Sequence, residues 1–229
     1  PSLKAVIESG IEVRAVFTQP DMRVKRKREL SPSPVKQFAL QQNLAVYTPE
    51  NAGSEDSIDL VSSMSPELIL VCAYGQILTQ QFLDIPLIGC FNLHFSLLPS
   101  LRGASPVQAA ILSGLKTTGV SLQKIVLRLD SGPLAVCSEE IEILHDDTNL
   151  TLGSRLSEVS GNLINHNLKD ILEGNITLTE QSETKATFCG IIKKKDGHVN
   201  WEKETAQEIE RKIRAFTPWP GIFSFYKNK

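Results

Sequence analysis

Two short apolar runs, residues 67–73 (ELILVCA) and 87–93 (LIGCFNL), constrain this chain more than any other feature. Neither alternates polar with apolar residues, so neither suits a sheet with one wet face. Each is bounded by turn residues. Such runs are what a strand needs when both its faces are covered, as in a parallel sheet flanked by helices. The surroundings agree. Residues 35–42 (VKQFALQQ), 57–64, 104–113 (ASPVQAAILS, with Pro106 in the first turn), 150–172 and 205–216 read as helices. Leu3, Val6 and Ile7 stand at helical spacing before Gly10, a glycine stop. Residues 11–17 (IEVRAVF), 44–47, 118–126 and 134–143 read as further strands, and 18–34, with Pro20, Pro32 and Pro34, as a loop. Strands alternating with helices predict an α/β, Rossmann-like fold with a mostly parallel sheet. Its ligands belong beyond the carboxyl ends of the strands.

Composition narrows the function. The chain has 229 residues, 41% hydrophobic and 22% charged, with a net charge of −2. Disordered and fibrous classes are excluded, and so is binding of nucleic acid through global charge, though not through a local basic patch. No apolar run reaches the ~18 residues of a membrane helix. Neither G-x-G-x-x-G nor G-x-x-x-x-G-K-[ST] occurs. Cys72, Cys90, Cys137 and Cys189 form no C-x-x-C pair and read as small buried hydrophobes. An α/β chain ordinarily sets a strand before its first helix, so residues ahead of Pro1 are expected. Residues 221–227 (GIFSFYK) read as a strand opening a further domain.

Chemistry concentrates in residues 91–108, FNLHFSLLPSLRGASPVQ. In a strand, Asn92 and His94 point to one face. An amide donor beside an imidazole at a strand end suits a developing oxyanion. On these two residues alone, a satisfied histidine and a turn-forming asparagine are the plainer account. Residues 129–133 (LDSGP) make a good turn, and on their own they place Asp130 as turn chemistry. His145, His166 and His198 have no ligand spacing to another His or Cys and read as surface polar residues.

Together, N-x-H, S-L-L-P, R-G-A-x-P, then T-G-V and L-D-S-G-P resemble the folate-dependent formyltransferases in order and spacing. The resemblance implies the formyltransferase fold. It implies that Asn92, His94 and Asp130 are the catalytic set, and that Ser96, Leu97, Leu98 and Pro99 lie at the folate site. The segment with Tyr74, Gly75, Gln76 and Ile77 is expected beside them at the neighbouring strand end. No metal is implied. Residues 18–36, 73–78, 84–86 and 213–220 are similar to the branch of the family whose acceptor is charged initiator tRNA. In that branch a basic loop enters the acceptor arm. Here Asp21 to Glu29 holds five basic and two acidic residues, and Arg23, Lys25, Arg26, Lys27 and Arg28 are the expected phosphate contacts. Arg26 falls where the family's loop has an arginine. The loop departs from the family pattern in lacking glycines, and Phe95, Ser100 and Leu101 also differ from the usual residues. A barrel-like C-terminal domain follows in the family, so residues 1–185 are expected to be catalytic and 186–229 a linker and the start of that domain.

The implied reaction carries a formyl group from 10-formyltetrahydrofolate to the α-amine of methionyl-initiator tRNA. Asn92 and His94 would donate to the oxygen that gains charge, each such donor being worth roughly 3–4 kcal/mol of barrier. Asp130 would take the amine's proton, directly or through water. The expected partners are the charged tRNA and the folate, with no membrane and a single chain as the working unit, in the bacterial cytoplasm or a mitochondrial matrix. Three rivals keep parts of this picture: a sugar-nucleotide N-formyltransferase, a 10-formyltetrahydrofolate hydrolase, and a non-catalytic RNA-binding relative. An intact Asn92, His94 and Asp130 set speaks against the last.

Overall fold

A computed structural model of the chain describes residues 1–24 and 29–226. Its first half runs α1 (Ser2–Glu8), β1 (Val16–Phe17), β2 (Met22–Val24), β3 (Glu29–Ser31), α2 (Pro34–Gln41), β4 (Val46–Tyr47), α3 (Glu55–Ser63), β5 (Leu68–Cys72), α4 (Gln80–Leu83) and β6 (Gly89–His94). The two apolar runs become β5 and β6 and pair in parallel, from Leu68 opposite Gly89 to Cys72 opposite Leu93. β1 and β4 form a second, separate parallel pair. The strand expected over residues 11–17 is therefore only two residues long. A cavity of about 880 Å³, lined by residues of α1, β1 and β5 including Leu3, Phe17 and Val71, separates β1 from the open edge of β5.

The second half contains β7 (Arg102–Gly103), α5 (Pro106–Leu112), β8 (Thr117–Thr118), β9 (Ser121–Lys124), β10 (Leu134–Cys137), β11 (Ile141–Glu142), α6 (Asn149–Leu172), β12 (Phe188–Cys189) and α7 (Ala206–Ala215). β9 joins β6 antiparallel and β10 joins β9 antiparallel, giving the order β10-β9-β6-β5. While β7 and β12 form a separate parallel pair, parallel pairing within the β10-β9-β6-β5 sheet is thus carried by the βαβ-like first half. A tight antiparallel return through β9 and β10 extends the sheet beyond it.

The core lies on both faces of this sheet. On one face α6 buries Leu152, Leu156, Ile164 and Leu168, spaced by four residues or twice that, against Phe91, Leu93, Val120 and Leu122. Each fully buried leucine or isoleucine contributes roughly 1.5–3 kcal/mol. Thr148 starts this helix through a reciprocal cap with Thr151. On the other face Ala52, Val61, Phe82, Leu83 and Cys90 form a second cluster. Strand periodicity then decides the site: Phe91 and Leu93 go to the α6 side, so Asn92 and His94 share the opposite side with Cys90.

Three expectations need correction. Residues 18–34 are not simply loop, because Met22–Val24 pairs antiparallel with Glu29–Ser31. At the base of this ribbon Lys36 Nζ donates to both oxygens of Asp21 at 2.8 and 2.9 Å, and the Thr18 and Ser33 hydroxyls meet at 2.8 Å. The cysteines are not uniformly buried: Cys90 is, but Cys72 and Cys137 are exposed, since they end the edge strands β5 and β10. Residues 221–226 form no named strand; Phe223 makes one isolated bridge to His198. Among the described residues no helix is long and apolar enough to cross a membrane.

Candidate active site

The site forms where the chain leaves β6. Asn92 is half-buried, and its amide makes no hydrogen bond among the described residues. His94 is buried at 5% exposure. Its Nε2 lies 2.9 Å from the Leu101 carbonyl oxygen. A carbonyl only accepts, so Nε2 carries a hydrogen and the ring's orientation is fixed. Nδ1 is left facing Asp130 Oδ2 at 3.8 Å. The same Leu101 carbonyl accepts from Cys189 Sγ at 3.4 Å, and burial pushes that thiol up from its ordinary range.

Asp130 reaches His94 from the turn between β9 and β10. Its φ is +45°, a left-handed conformation that a short polar side chain tolerates better than most. Oδ2 accepts from the Gly103 N–H at 2.8 Å, and Oδ1 from Gln123 Nε2 at 2.8 Å. Gly103 can serve here because it is a glycine. It has φ +121°, and a Cβ on it would lie 2.0 Å from the Cys189 carbonyl oxygen, so β7 and β12 could not approach as they do. Gln123 is paired directly with Asn92 across β6 and β9. One residue thus borders both Asn92 and Asp130.

Behind this shell lies a buried polar chain. Gln181 Nε2 donates to Gln123 Oε1 at 3.3 Å, to Asp130 O at 2.9 Å and to Gly132 O at 2.6 Å. Arg102, fully buried, donates from Nε and Nη2 to Gln181 Oε1 at 3.1 and 2.9 Å. Its charge is met by Glu183 at 2.9 Å, which Arg128 also holds at 2.6 Å. The hydrogen bond from Arg102, with the charge of both arginines, keeps the Glu183 carboxyl below the usual carboxylate range. The sequence reading missed Gln123, Gln181, Gly103 and Arg102. The last two stood inside the quoted R-G-A-x-P motif, while Gln181 lies in a polar stretch without periodicity.

The structure brings Asn92, His94 and Asp130 to one strand end. The expected folate residues sort differently. Ser96 is buried and donates to the Ser100 carbonyl at 2.5 Å, and Leu98 is buried with its N–H on Ser121 Oγ at 2.9 Å. Leu97 and Pro99 are half-buried, Leu97 against Gly119. Tyr74, Gly75, Gln76 and Ile77 follow the carboxyl end of β5, next to that of β6. Gln76 braces the 49–52 loop, accepting from Ala52 N at 2.6 Å and donating to Pro49 O at 2.9 Å. Ile77 is 89% exposed. Tyr74 instead lines the 880 Å³ cavity, to which none of Asn92, His94 and Asp130 contributes.

Of the expected phosphate contacts, Lys25, Arg26, Lys27 and Arg28 lie outside the described residues, and Arg23 is described by its backbone alone, in β2. His145 and His166 are exposed as expected, but His198 is half-buried, its ring 5.6 and 5.4 Å from those of Phe223 and Phe225. Among the described residues no three of His, Cys, Asp and Glu group as a metal site would.

The chain is similar to known proteins in sequence and in fold. Residues 2–168 match the family described as formyl transferase, and residues 191–229 match the formyl transferase C-terminal domain. The chain is 41% identical to a methionyl-tRNA formyltransferase of Caldicellulosiruptor saccharolyticus over 99% of its own length and 72% of that protein's. It is 40% identical to one from Marinobacter nauticus over 97% of its length and 71% of that protein's. Among solved structures, the sugar 3N-formyltransferase WlaRD, determined with dTDP and 5-N-formyltetrahydrofolate, superposes with a TM-score of 0.72. It covers 99% of this chain and 78% of its own at 20% identity, which is a likeness of fold.

Proposed function

The chain belongs to the formyl transferase family, and from that premise we propose that its site carries the formyl group of 10-formyltetrahydrofolate to the α-amine of methionyl-initiator tRNA. It is a formyltransferase of the methionyl-tRNA kind, a reading supported by about 40% identity along nearly its whole length. The observation that carries the chemistry is the meeting of Asn92, His94 and Asp130 at the end of β6. We assign the catalytic domain to residues 1–185, and the linker and the start of the C-terminal domain to 186–229.

The half-buried Asn92 amide, with no intramolecular partner among the described residues, fits a carbonyl oxygen needing a donor. The folate supplies an activated formyl group; everything else falls to the chain. Asn92 and Nδ1–H of a protonated His94 donate to the formyl oxygen as it gains charge. His94 is held for this by the Leu101 carbonyl, which occupies its other nitrogen. Asp130, one short step from His94, accepts the proton released by the attacking amine. Ser96, Leu97, Leu98 and Pro99 shape one wall of the folate site, and Gly75, Gln76 and Ile77 shape the other, Tyr74 being turned into the 880 Å³ cavity. Ser96 and Leu98 act from inside the wall, by fixing the course of the loop. Arg23, Lys25, Arg26, Lys27 and Arg28 take the tRNA phosphates.

The deciding experiment offers 10-formyltetrahydrofolate with three acceptors in parallel: charged initiator tRNA, a nucleotide-linked amino sugar, and water. Formyl-methionyl-tRNA should be the dominant product. Preferential formylation of the amino sugar, or folate turnover without an added acceptor, would move the chain to one of its rivals.

A further inference from the structure

The buried chain behind Asp130 has a direction. A guanidinium has only hydrogens to give. Arg102, with 0% exposure, gives two of them to Gln181 Oε1, at 3.1 and 2.9 Å. That fixes which end of the Gln181 amide points where: its NH₂ must face the Asp130 turn. There it meets Gln123 Oε1, which fixes the second amide in turn. Gln123 Nε2 is then the only end left for Asp130 Oδ1, at 2.8 Å. Reversing any link would set two donors or two acceptors face to face inside the protein, at 2% exposure for Gln123 and 9% for Gln181. Oδ1 is therefore always supplied with a donor. Oδ2, the oxygen nearer His94, accepts the Gly103 N–H and keeps a second lone pair for a proton.

We propose that Gln181 is a positioning residue for formyl transfer: oriented by Arg102, it holds the Asp130 turn through the carbonyls of Asp130 and Gly132, and through Gln123 it turns the carboxylate so that Oδ2 faces His94. Gln181 lies outside both family-matched segments, between residues 168 and 191. It stands two residues before Glu183, which neutralises Arg102 and also binds Arg128 two residues ahead of Asp130. The connecting segment therefore grips the turn on two sides, at its backbone and at its entrance. Gly132 lets the turn itself close on the end of β9, since a Cβ there would lie 1.8 Å from the Lys124 carbonyl oxygen.

The inference rests on the proposed role of Asp130, and a double-mutant cycle in the full-length enzyme separates the two. Gln181→Glu keeps an oxygen for Arg102 but presents a second acceptor where Gln123 and two carbonyls need a donor. With 10-formyltetrahydrofolate and charged initiator tRNA, its kcat should fall about tenfold to a hundredfold, since small misplacements of a reacting group cost that much. Both KM values should stay within about twofold. On an Asp130→Asn background the same substitution should cost less than about twofold, because the group it positions is already gone. Equal losses on both backgrounds would overturn the positioning role while leaving Asp130 in the mechanism. Normal turnover by Asp130→Asn alone would remove Asp130 and this inference with it. If Gln181→Glu does not fold, Gln123→Met cuts the chain one link later with the Arg102–Gln181 pair intact, and the same cycle applies. A kcat for Gln123→Met equal to the unaltered enzyme's would likewise overturn the proposal.

Discussion

Nδ1 of His94 faces Oδ2 of Asp130 across 3.8 Å, while Nε2 of the same ring is bound to the Leu101 carbonyl at 2.9 Å. The ring is thus tied at one nitrogen and aimed with the other. The distance exceeds a direct hydrogen bond, which leaves room for the carboxylate and the imidazole to close on a reacting group between or beside them. Replacing either should strike the chemical step more than binding. His94→Ala and Asp130→Ala should each lower kcat on the order of 10²-fold or more. Retained tRNA and folate affinities, read by equilibrium binding, are part of the expectation. Near-normal turnover in either variant would take that residue out of the mechanism.

Gly103 gives a stability prediction tied to the same carboxylate. Its N–H donates to Asp130 Oδ2, and it lies in β7 beside β12 with room for no side chain. Gly103→Ala places a Cβ 2.0 Å from the Cys189 carbonyl oxygen at a φ of +121° that L side chains rarely adopt. The strands must part. Overpacking of this kind costs about 1–3 kcal/mol, and the backbone strain adds to it. Urea unfolding should show a lower midpoint, with kcat falling further than the destabilisation alone explains. An unchanged midpoint would mean that the β7–β12 pairing yields freely.

Much of the architecture was legible because it rests on local pattern. Residues 67–73 and 87–93 announced β5 and β6 by unbroken apolarity, and the alternation of Phe91, Asn92, Leu93 and His94 fixed which pair enters the core. The long α6 was equally plain from its apolar spacing. Motif order carried the family, and it singled out Asn92, His94 and Asp130, which the fold brings to one strand end. What stayed hidden was non-local. Phe188 and Cys189 pair with Arg102 and Gly103 across more than eighty positions, and no propensity in T-F-C-G signals it. Gln181 is one polar residue in a polar stretch. Its value comes from a guanidinium that is buried only once the chain has folded around it. Likewise His198 read as surface, because the rings that cover it, Phe223 and Phe225, come twenty-five or more residues later.

The carboxylates of α7 and of Glu204 just ahead of it set a pH limit on stability. The hydrogen bond from Lys212 keeps Glu204 below the ordinary carboxylate range, the cap with Thr205 does so for Glu208, and the Arg214 fork does so for Glu210. A folded-state value depressed below the unfolded ~4.3 contributes stability above that pH and loses it as pH falls through the folded value. Melting temperature should therefore be flat with respect to these groups above about pH 5 and decline below about pH 4. Lys212→Met removes the partner that Glu204 holds at 2.8 Å. It should lower the melting temperature at pH 7 and make the acid decline shallower. The same slope in the variant and the unaltered protein would exclude Glu204 as a contributor.

The basic segment separates the tRNA acceptor from its rivals. Between Asp21 and Glu29 the chain carries five basic and two acidic residues, on a protein whose overall charge is −2. A cluster of this sign is not called for at the folate's reacting end, where the proposed donors are Asn92 and His94. It has much to gain from phosphates, because each neutralised phosphate releases condensed counterions and steepens the salt dependence of binding. Replacing Lys25, Arg26 and Lys27 together by Ala should therefore raise the KM for charged tRNA. It should also flatten the plot of log affinity against log salt by roughly 0.7–0.9 for each phosphate no longer neutralised. The kcat at saturating tRNA and the affinity for folate should be nearly unchanged, since these residues contribute to neither the oxyanion donors nor the proton acceptor. The measurement is formylation of charged initiator tRNA at several salt concentrations, with folate binding followed in parallel. If the triple variant keeps the salt slope of the unaltered enzyme, the cluster is a solvated face. The acceptor would then be recognised elsewhere, and a nucleotide-linked amino sugar, held by a pocket rather than by a row of charges, becomes the next substrate to assay.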